Sequence, residues 1–310
     1  MRINTLYTLI SFSVLTHCSM YTFSFKDIRS WVNFEQHEET SYREYTLNSG
    51  TKKIFIDNAY GEVAVSSWEH ATVGVTAIKQ SSSPENIELI TLADSHKDNT
   101  FTLKINYGPS EKKAIKGAVN LVIRIPETCS NEIHTDQASI WVDGLESPVK
   151  VFSKTGLIEI FNTRGTVYAE NNKGDIVINH PKSTVKVKNI TGKVSIEKAS
   201  KTTLVETDSG PISIMYKKVP HQTTITATTQ SGPIELLLPE DVNADLQAKT
   251  KKGVILSEQM ITLKPKTVQL NKKAWTSLKK EVDGTFGTGE AQIRLSSSSS
   301  SIKILENKLT

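Results

Sequence analysis

A repeat of nine residues runs through the middle of this chain, over residues 138–214. Counting in nines from Ala138, the anchor positions are mostly glycine or serine: Ser147, Gly156, Gly165, Gly174, Ser183, Gly192, Lys201 and Gly210. The residues two and four places after each anchor are aliphatic in every unit, with Thr203 as the exception. A repeat that keeps its register over so many units decides the fold before any other feature does.

The aliphatic residues of each unit sit two apart, which is the spacing of a strand with one buried face. Their β-branched character suits a pleated, half-buried surface. Four or five polar or glycine-containing residues separate one pair from the next, enough for a corner. Each unit therefore predicts one short strand followed by a turn of the chain.

Two arrangements satisfy a nine-residue unit: an antiparallel meander, or half a coil of a solenoid. Glycine recurs every eighteen residues, at Gly156, Gly174, Gly192 and Gly210, whereas the intervening anchors vary. Recurring glycine indicates a corner with positive φ or close backbone approach. The pattern therefore favours two strands and two unlike corners per coil, the organisation of a parallel β-solenoid.

The predicted fold is all-β, a parallel β-helix or solenoid with about 18–22 residues per coil, capped at its N-terminus. Residues 1–24 are predicted to be a secretory signal, 25–49 a cap or linker that includes a short helix or cap element, and 50–310 the solenoid. The coils that follow Gly232 and Gly253 are expected to stack in chain order. Ile302 and Ile304 are expected to close the last coil.

The first 24 residues combine one basic residue, Arg2, with an apolar run over residues 6–15 that is too short to span a bilayer. Cleavage in the region 16–24 is the favoured reading; lipidation at Cys18 is the alternative, although His17 stands where a lipoprotein signal has a small residue. Both readings predict an exported protein of the periplasm, outer membrane or cell surface. Without Cys18, Cys129 has no partner for an internal disulfide.

The charge and the titratable residues give little indication of catalysis. A formal charge of +4 over 310 residues is too small to indicate nucleic acid. The positions two before each anchor do not supply the ladder of oxygen ligands that calcium-binding rolls use, and the histidines lack metal-ligand spacing. We therefore predict no metal, no cofactor and no catalytic residue.

Four of the later units, at residues 155–160, 173–178, 209–214 and 231–236, resemble the candidate adhesin domain of bacterial cell-envelope proteins. That family repeats a polar-Ser-Gly-x-Ile-x-Val unit, has a late Gly-x-Gly segment, here residues 287–289, and ends on a Ser-Ser-Gly-x-Ile strand. Residues 298–304 match that strand with serine in place of glycine. The resemblance covers residue 50 to the end and implies an exported β-solenoid that serves adhesion or envelope scaffolding, without catalytic residues.

Two groups of residues are the candidates for a binding surface: the outward aromatic residues Trp141, Phe152, Phe161 and Tyr168, and the lysines of a basic stretch, Lys264, Lys266, Lys272 and Lys273. Strand alternation assigns Trp141 and Phe161 to one sheet and Phe152 and Tyr168 to the other. Residues 249–280 contain nine lysines and one acid, a balance that suits anionic glycans, lipid headgroups, cell-wall polymer or a solvated loop. We expect an envelope, glycan or protein ligand. The alternative function is a carbohydrate-active β-helix enzyme, a lyase or glycosidase, with Glu159 and Asp175 as its carboxylate pair.

Overall fold

The aliphatic residues of the repeat lie on short parallel strands that alternate between two sheets. The structure is a computed structural model and describes residues 37–108, 117–264 and 280–308, all within the unit Gln36–Thr310. Ile158, Ile176, Val194 and Ile212 occupy matching positions on successive strands of one sheet and are fully buried. The stacked aliphatic column that the repeat predicts is therefore confirmed.

The strands are numbered in chain order and divide between sheet A and sheet B. Sheet A contains twelve strands: β1 (His37–Thr46), β3 (Val63–Trp68), β4 (Thr72–Ser81), β7 (Gly117–Pro126), β9 (Ile140–Asp143), β11 (Ile158–Phe161), β13 (Ile176–Asn179), β15 (Val194–Ala199), β17 (Ile212–Tyr216), β19 (Ile234–Leu238), β21 (Ile255–Ser257) and β25 (Ile302–Glu306). Sheet B contains thirteen: β2 (Lys53–Tyr60), β5 (Ile90–Lys97), β6 (Thr100–Tyr107), β8 (Ser130–Gln137), β10 (Val149–Thr155), β12 (Val167–Lys173), β14 (Val185–Thr191), β16 (Thr203–Ser209), β18 (Thr224–Ser231), β20 (Ala244–Thr250), β22 (Thr262–Leu263), β23 (Glu281–Phe286) and β24 (Ala291–Ser297). The helix of the described residues is α1 (Pro84–Leu89), between β4 and β5.

One strand of each sheet makes one coil, and the coils pair in parallel through the middle of the molecule. Val149 of β10 lies beside Val167 of β12, eighteen residues later. Thr203 of β16 lies beside Ile225 of β18, twenty-two residues later. The predicted all-β solenoid and its coil length of 18–22 residues are confirmed, and the antiparallel meander is excluded for these coils.

The recurring glycine makes the corner between a sheet B strand and the sheet A strand that follows. Gly174 has φ +134°, and a Cβ placed on it would lie 2.1 Å from the carbonyl oxygen of Gly156 in the preceding coil. Both the positive φ and the lack of space require glycine at this corner. The predicted reason for the eighteen-residue glycine period is confirmed.

A row of buried polar residues, the corner ladder, runs beside the glycine corners on the inner face of sheet B. The side-chain amide of Asn171 donates to the Gly156 carbonyl at 2.8 Å, and that of Asn189 to the Gly174 carbonyl at 3.0 Å. The ladder comprises Asn58, Thr135, Ser153, Asn171, Asn189, Thr207, Thr229, Ser297 and Thr250, in spatial order. It provides polar side chains at the corners, where the backbone leaves the regular ladder.

Both ends of the solenoid depart from the order of the chain. The coil β2–β3 lies between β6–β7 and β8–β9, and the coil β24–β25 lies between β18–β19 and β20–β21. The expectation that Ile302 and Ile304 close the last coil is therefore wrong: β25 is flanked by β19 and β21, and both isoleucines are fully buried. The terminal coils are completed by antiparallel strands, β1 and β4 in sheet A, β5, β22 and β23 in sheet B.

Residues 37–46, within the predicted cap, form the edge strand β1 and not a helix. β1 buries little, because only Ser41 and Tyr45 are partly shielded from solvent. The predicted signal, Cys18 and residues 25–36 lie outside the described residues, and the proposed domain boundaries remain predictions. No helix among the described residues is long and apolar enough to cross a bilayer.

Candidate functional site

Four aromatic rings form a continuous row on the outer face of sheet B, here called the aromatic row. Phe55, His134, Phe152 and Tyr168 lie on the adjacent strands β2, β8, β10 and β12. Their ring centroids are 4.9 Å apart for Phe55 and His134, 4.6 Å for His134 and Phe152, and 5.5 Å for Phe152 and Tyr168. These separations fall within the range of attractive ring contacts.

Strand alternation directs the row outward. Phe55 lies between Ile54 and Ile56, which are fully buried, and Phe152 lies between the buried Val151 and Ser153. Because neighbouring side chains of a strand point to opposite faces, the rings stand on the outside of the sheet. All four are partly exposed, and the paired strands beneath them hold their spacing.

Charged side chains flank the N-terminal part of the row. Glu132 accepts from Lys53 at 2.8 Å and from the His134 ring at 2.9 Å. Burial alone raises the pKa of Glu132, but the hydrogen bonds from Lys53 and His134 and the positive charge of Lys53 outweigh it and lower the pKa below its ordinary value. The Lys53 ammonium also lies 5.9 Å from the centre of the Phe55 ring, within cation–π range.

Tyr168 ends the row with a phenol that stays protonated. Its hydroxyl donates to the Glu170 carboxylate at 2.5 Å. Burial and the adjacent Glu170 charge raise the pKa of Tyr168 to about 12. The row thus combines ring faces with carboxylate and ammonium groups on one face of sheet B.

The other predicted aromatic pair lies apart from the row. Trp141 on β9 and Phe161 on β11 are on the outer face of sheet A, with ring centroids 6.2 Å apart. Glu159 pairs in register with Trp141, and burial raises the pKa of Glu159 above its ordinary value. The structure therefore places Trp141 and Phe161 on one sheet and Tyr168 on the other, as strand alternation predicts.

The predicted carboxylate pair shows a structural role for one member. An Asp175 oxygen accepts a hydrogen bond from the backbone N–H of Lys193 at 2.8 Å, which joins neighbouring coils at the corner. Among the described residues, no group of histidine, cysteine, aspartate and glutamate side chains is arranged to hold a metal ion. Glu159 lies on the outer face of β11, and Asp175 lies at the corner between β12 and β13.

Of the four predicted lysines, Lys264 is described and Lys266, Lys272 and Lys273 lie outside the described residues. The Lys264 ammonium is 3.0 Å from Asp245 and 3.8 Å from Asp283, on the neighbouring strands β20 and β23. The hydrogen bond and charge of Asp245 raise the pKa of Lys264. Lys264 thus takes part in an ion pair at the end of sheet B, distant in strand order from Tyr168.

Comparison with known families matches residues 51–305 to the model described as Toastrack DUF4097. The chain belongs to the Toastrack DUF4097 family. No curated protein matches the sequence. The family assignment agrees with the two-sheet parallel solenoid described above and with the resemblance to envelope adhesins.

Solved structures similar to this Toastrack domain are distant in sequence. A candidate adhesin from Bacteroides fragilis shares 13% identity over 86% of this chain and 97% of its own, with a TM-score of 0.50. A candidate cell adhesion protein from Clostridium sporogenes shares 13% identity over 88% and 100%, with a TM-score of 0.27. A candidate lipid binding protein from Parabacteroides distasonis shares 11% identity over 87% and 97%, with a TM-score of 0.34. At these identities the likeness concerns the fold alone.

The sequence prediction omitted half of the Toastrack domain's aromatic row. Phe55 and His134 are outward residues of β2 and β8, and these strands are neighbours only because the coil β2–β3 inserts beside β8–β9. One signal was present: each occupies the outward position between inward-facing residues of its strand. That signal predicts which face of the sheet each ring lies on, but not which strand lies beside it.

Proposed function

We propose that this protein is a non-enzymatic, exported surface protein of the bacterial cell envelope that binds a glycan through the aromatic row, in adhesion or scaffolding. The signal-like N-terminal sequence and the adhesins among its structural neighbours support the cellular role. The observation that carries the binding function is the unbroken row of four outward rings across four adjacent strands. A rigid sheet keeps such a platform organised before the ligand arrives.

Ring faces and charged groups have complementary tasks in this proposal. The apolar C–H faces of a sugar ring pack against Phe152 and Tyr168, and aromatic side chains contribute large contact areas at low entropic cost. Sugar hydroxyls donate to the carboxylates of Glu132 and Glu170 and accept from Lys150, which is exposed beside the row. Binding therefore extends along the row, across strands rather than along one strand.

A pair of double variants tests the proposal against binding to isolated envelope polysaccharides and a glycan array. We expect Phe152→Ala with Tyr168→Ala to weaken binding about tenfold or more, because buried aromatic contacts commonly dominate an interface. Trp141→Ala with Phe161→Ala removes two outward rings from the opposite sheet and serves as the matched control. A protein that binds no glycan, or that loses equal affinity in both double variants, contradicts the proposal.

The enzyme alternative is separated from binding by analysing the glycan after incubation. Burial of Glu159 raises its pKa, a property that a general acid in a glycosidase also has. We expect the glycan to be recovered intact by chromatography. Cleavage that is lost in Glu159→Gln and in Asp175→Asn would establish the lyase or glycosidase instead.

A further inference from the structure

Four large apolar side chains are exposed within ten residues of the chain, 254–263, at the end of the solenoid that β21 and β22 form. The exposed fractions are 41% for Val254, 53% for Leu256, 94% for Met260 and 58% for Leu263. The strands β21 and β22, which carry Leu256 and Leu263, are the last strands of sheets A and B at this end. Exposed apolar residues on a soluble surface are usually scattered singly, so this group indicates a contact surface. We call residues 251–264 the end coil.

The most exposed of these residues follows a turn that is firmly held. The Ser257 hydroxyl donates to the Gln259 carbonyl at 2.8 Å, and the Gln259 N–H donates back to that hydroxyl at 3.2 Å. The Gln259 side-chain amide donates to the carbonyls of Leu238 and Pro239 at 3.3 and 2.9 Å. Met260 is therefore presented to solvent by an anchored turn.

The end coil is also basic. Lys251 and Lys252 are exposed immediately before Val254, and the Lys280 ammonium donates to the Lys251 carbonyl at 2.9 Å. The acid of this stretch, Glu258, accepts from the backbone N–H of Glu306 at 3.0 Å. Apolar residues bordered by ammonium groups are typical of surfaces that attach to anionic bilayers.

We propose that the end coil is a membrane-contact site that binds the surface of an anionic phospholipid bilayer. Met260 and Leu263 enter the boundary between headgroups and acyl chains, while Lys251 and Lys252 lie against the lipid phosphates. The site shares no residue with the aromatic row and does not depend on it.

A second copy of the chain fits the end coil less well. The acidic residues at the opposite end of sheet A, Glu38, Glu39 and Glu44, already accept hydrogen bonds from β4, and Lys79 neutralises Glu39, so they are weaker partners for the lysines than a row of lipid phosphates. The edge strands β21 and β22 contain three and two residues, too few for extended pairing with another sheet. Charge complementarity therefore favours the lipid surface.

Vesicle co-sedimentation of the purified protein tests the site. We expect binding to phosphatidylcholine vesicles that contain phosphatidylglycerol, weak binding to phosphatidylcholine alone, and release by salt. Met260→Ser with Leu263→Ser should abolish binding. Lys251→Gln with Lys252→Gln should weaken it at least about tenfold, because each lysine near an anionic surface contributes about fivefold.

Matched controls lie on β14 in the middle of sheet B. Ile190, 49% exposed, is changed to serine, and the exposed Lys186 and Lys188 are changed to glutamine; neither change should affect vesicle binding. Absence of binding by the unmodified protein overturns the proposal, as does an equal loss in the control variants. Self-association that is lost in the Met260 and Leu263 variant, without vesicle binding, assigns the end coil to a second copy and also overturns it.

Discussion

At the scale of single residues, the corner ladder is as regular as the glycines. Asn171 and Asn189 each stand three residues before a corner glycine, Gly174 and Gly192. Each amide donates to the corner carbonyl one coil earlier, so hydrogen bonds link the coils at a point where the backbone turns. The eighteen-residue spacing of the two asparagines was a signal of this role.

Replacing Asn171 with alanine should destabilise the protein by about 1–3 kcal/mol, because the partly buried Gly156 carbonyl loses its donor and the buried Asn171 side chain leaves a small void. Urea unfolding followed by circular dichroism measures the change. Asn179→Ala is the control: its amide donates to Glu197 on the outer face at 3.0 Å, where water can replace it. Equal losses in the two variants would contradict a structural role for the ladder.

The half-buried Glu159 should make stability fall as its carboxyl ionises. Burial raises its pKa in the folded state, so the folded form binds the proton more tightly than the unfolded form. Its stabilising contribution is complete below the unfolded pKa and is lost as pH rises through the folded pKa. We expect Glu159→Gln to raise the urea midpoint near pH 7 and to leave it unchanged near pH 3.

The exposed Glu206 on β16 supplies the comparison for Glu159. Glu206→Gln should leave the urea midpoint nearly the same at both pH values. A Glu159→Gln variant without a gain near pH 7 would show that its carboxylate is well solvated or paired in the folded protein.

At the scale of elements, the last strands of the chain lie inside the solenoid. β24 and β25 separate β18–β19 from β20–β21, and their residues Ile293, Ile302 and Ile304 are fully buried. β1, the first strand of the described residues, lies at an edge and is mostly exposed. Position along the chain is therefore a poor guide to importance for the fold.

Removal of residues 291–310 should abolish cooperative unfolding, because it deletes one strand from the interior of each sheet and exposes an apolar core. Of the described structure, removal of residues 1–46 takes away the edge strand β1 and should leave a folded protein with a lower melting temperature. Thermal melts followed by circular dichroism distinguish the two. A cooperative melt of the C-terminal truncation would contradict the interleaved arrangement.

The middle of the fold was predictable from the sequence, and the ends were not. The stacking of Ile158 on Ile176 was predictable because each eighteen-residue unit repeats the one before it. The register of the strands, their buried face and the length of the coil all follow from that period. Val63 and Val65 give the same in-and-out alternation, but they stack beside Ile140 and Val142 from a distant part of the chain. That choice depends on which free sheet edge a coil meets after the chain reverses, and alternation carries no information about it.

For the candidate site too, the contacts made within the regular coils were predictable from the sequence, and those made by the interleaved ends were not. Tyr168 and the separation of Trp141 and Phe161 onto the opposite sheet were predictable, because the repeat determines which sheet each strand joins. The contact between Phe55 and His134 required the interleaved N-terminal coil. Lys264 was selected for its basic surroundings, and the aspartates that neutralise it come from β20 and β23, which only the folded chain brings together.

At the scale of the whole molecule, the two proposed surfaces are well separated along sheet B. Seven strand-to-strand steps lie between β12, the last strand of the aromatic row, and β22 in the end coil. At about 4.8 Å per step this is roughly 34 Å. The two proposed surfaces, for a glycan and for a bilayer, therefore lie in different regions of one stack of coils.

Sites so far apart should act independently. Adding Phe152→Ala and Tyr168→Ala to the Met260 and Leu263 variant should reduce glycan binding by the same factor as in the unmodified background, since distant substitutions are usually additive. Glycan binding by each variant, measured with and without anionic vesicles, gives the coupling. Coupling of more than about tenfold would show that the two surfaces belong to one site.

The exact repetition of the corner, from Gly156 to Gly174 to Gly192, also makes the length of the molecule adjustable. Inserting a second copy of residues 174–191 would add one rung to each sheet and lengthen the stack by about 4.8 Å, without disturbing the coils on either side. A chain built in this way can change the distance between the aromatic row and the end coil by gene duplication, while both surfaces, which lie on either side of the insertion, keep their shape.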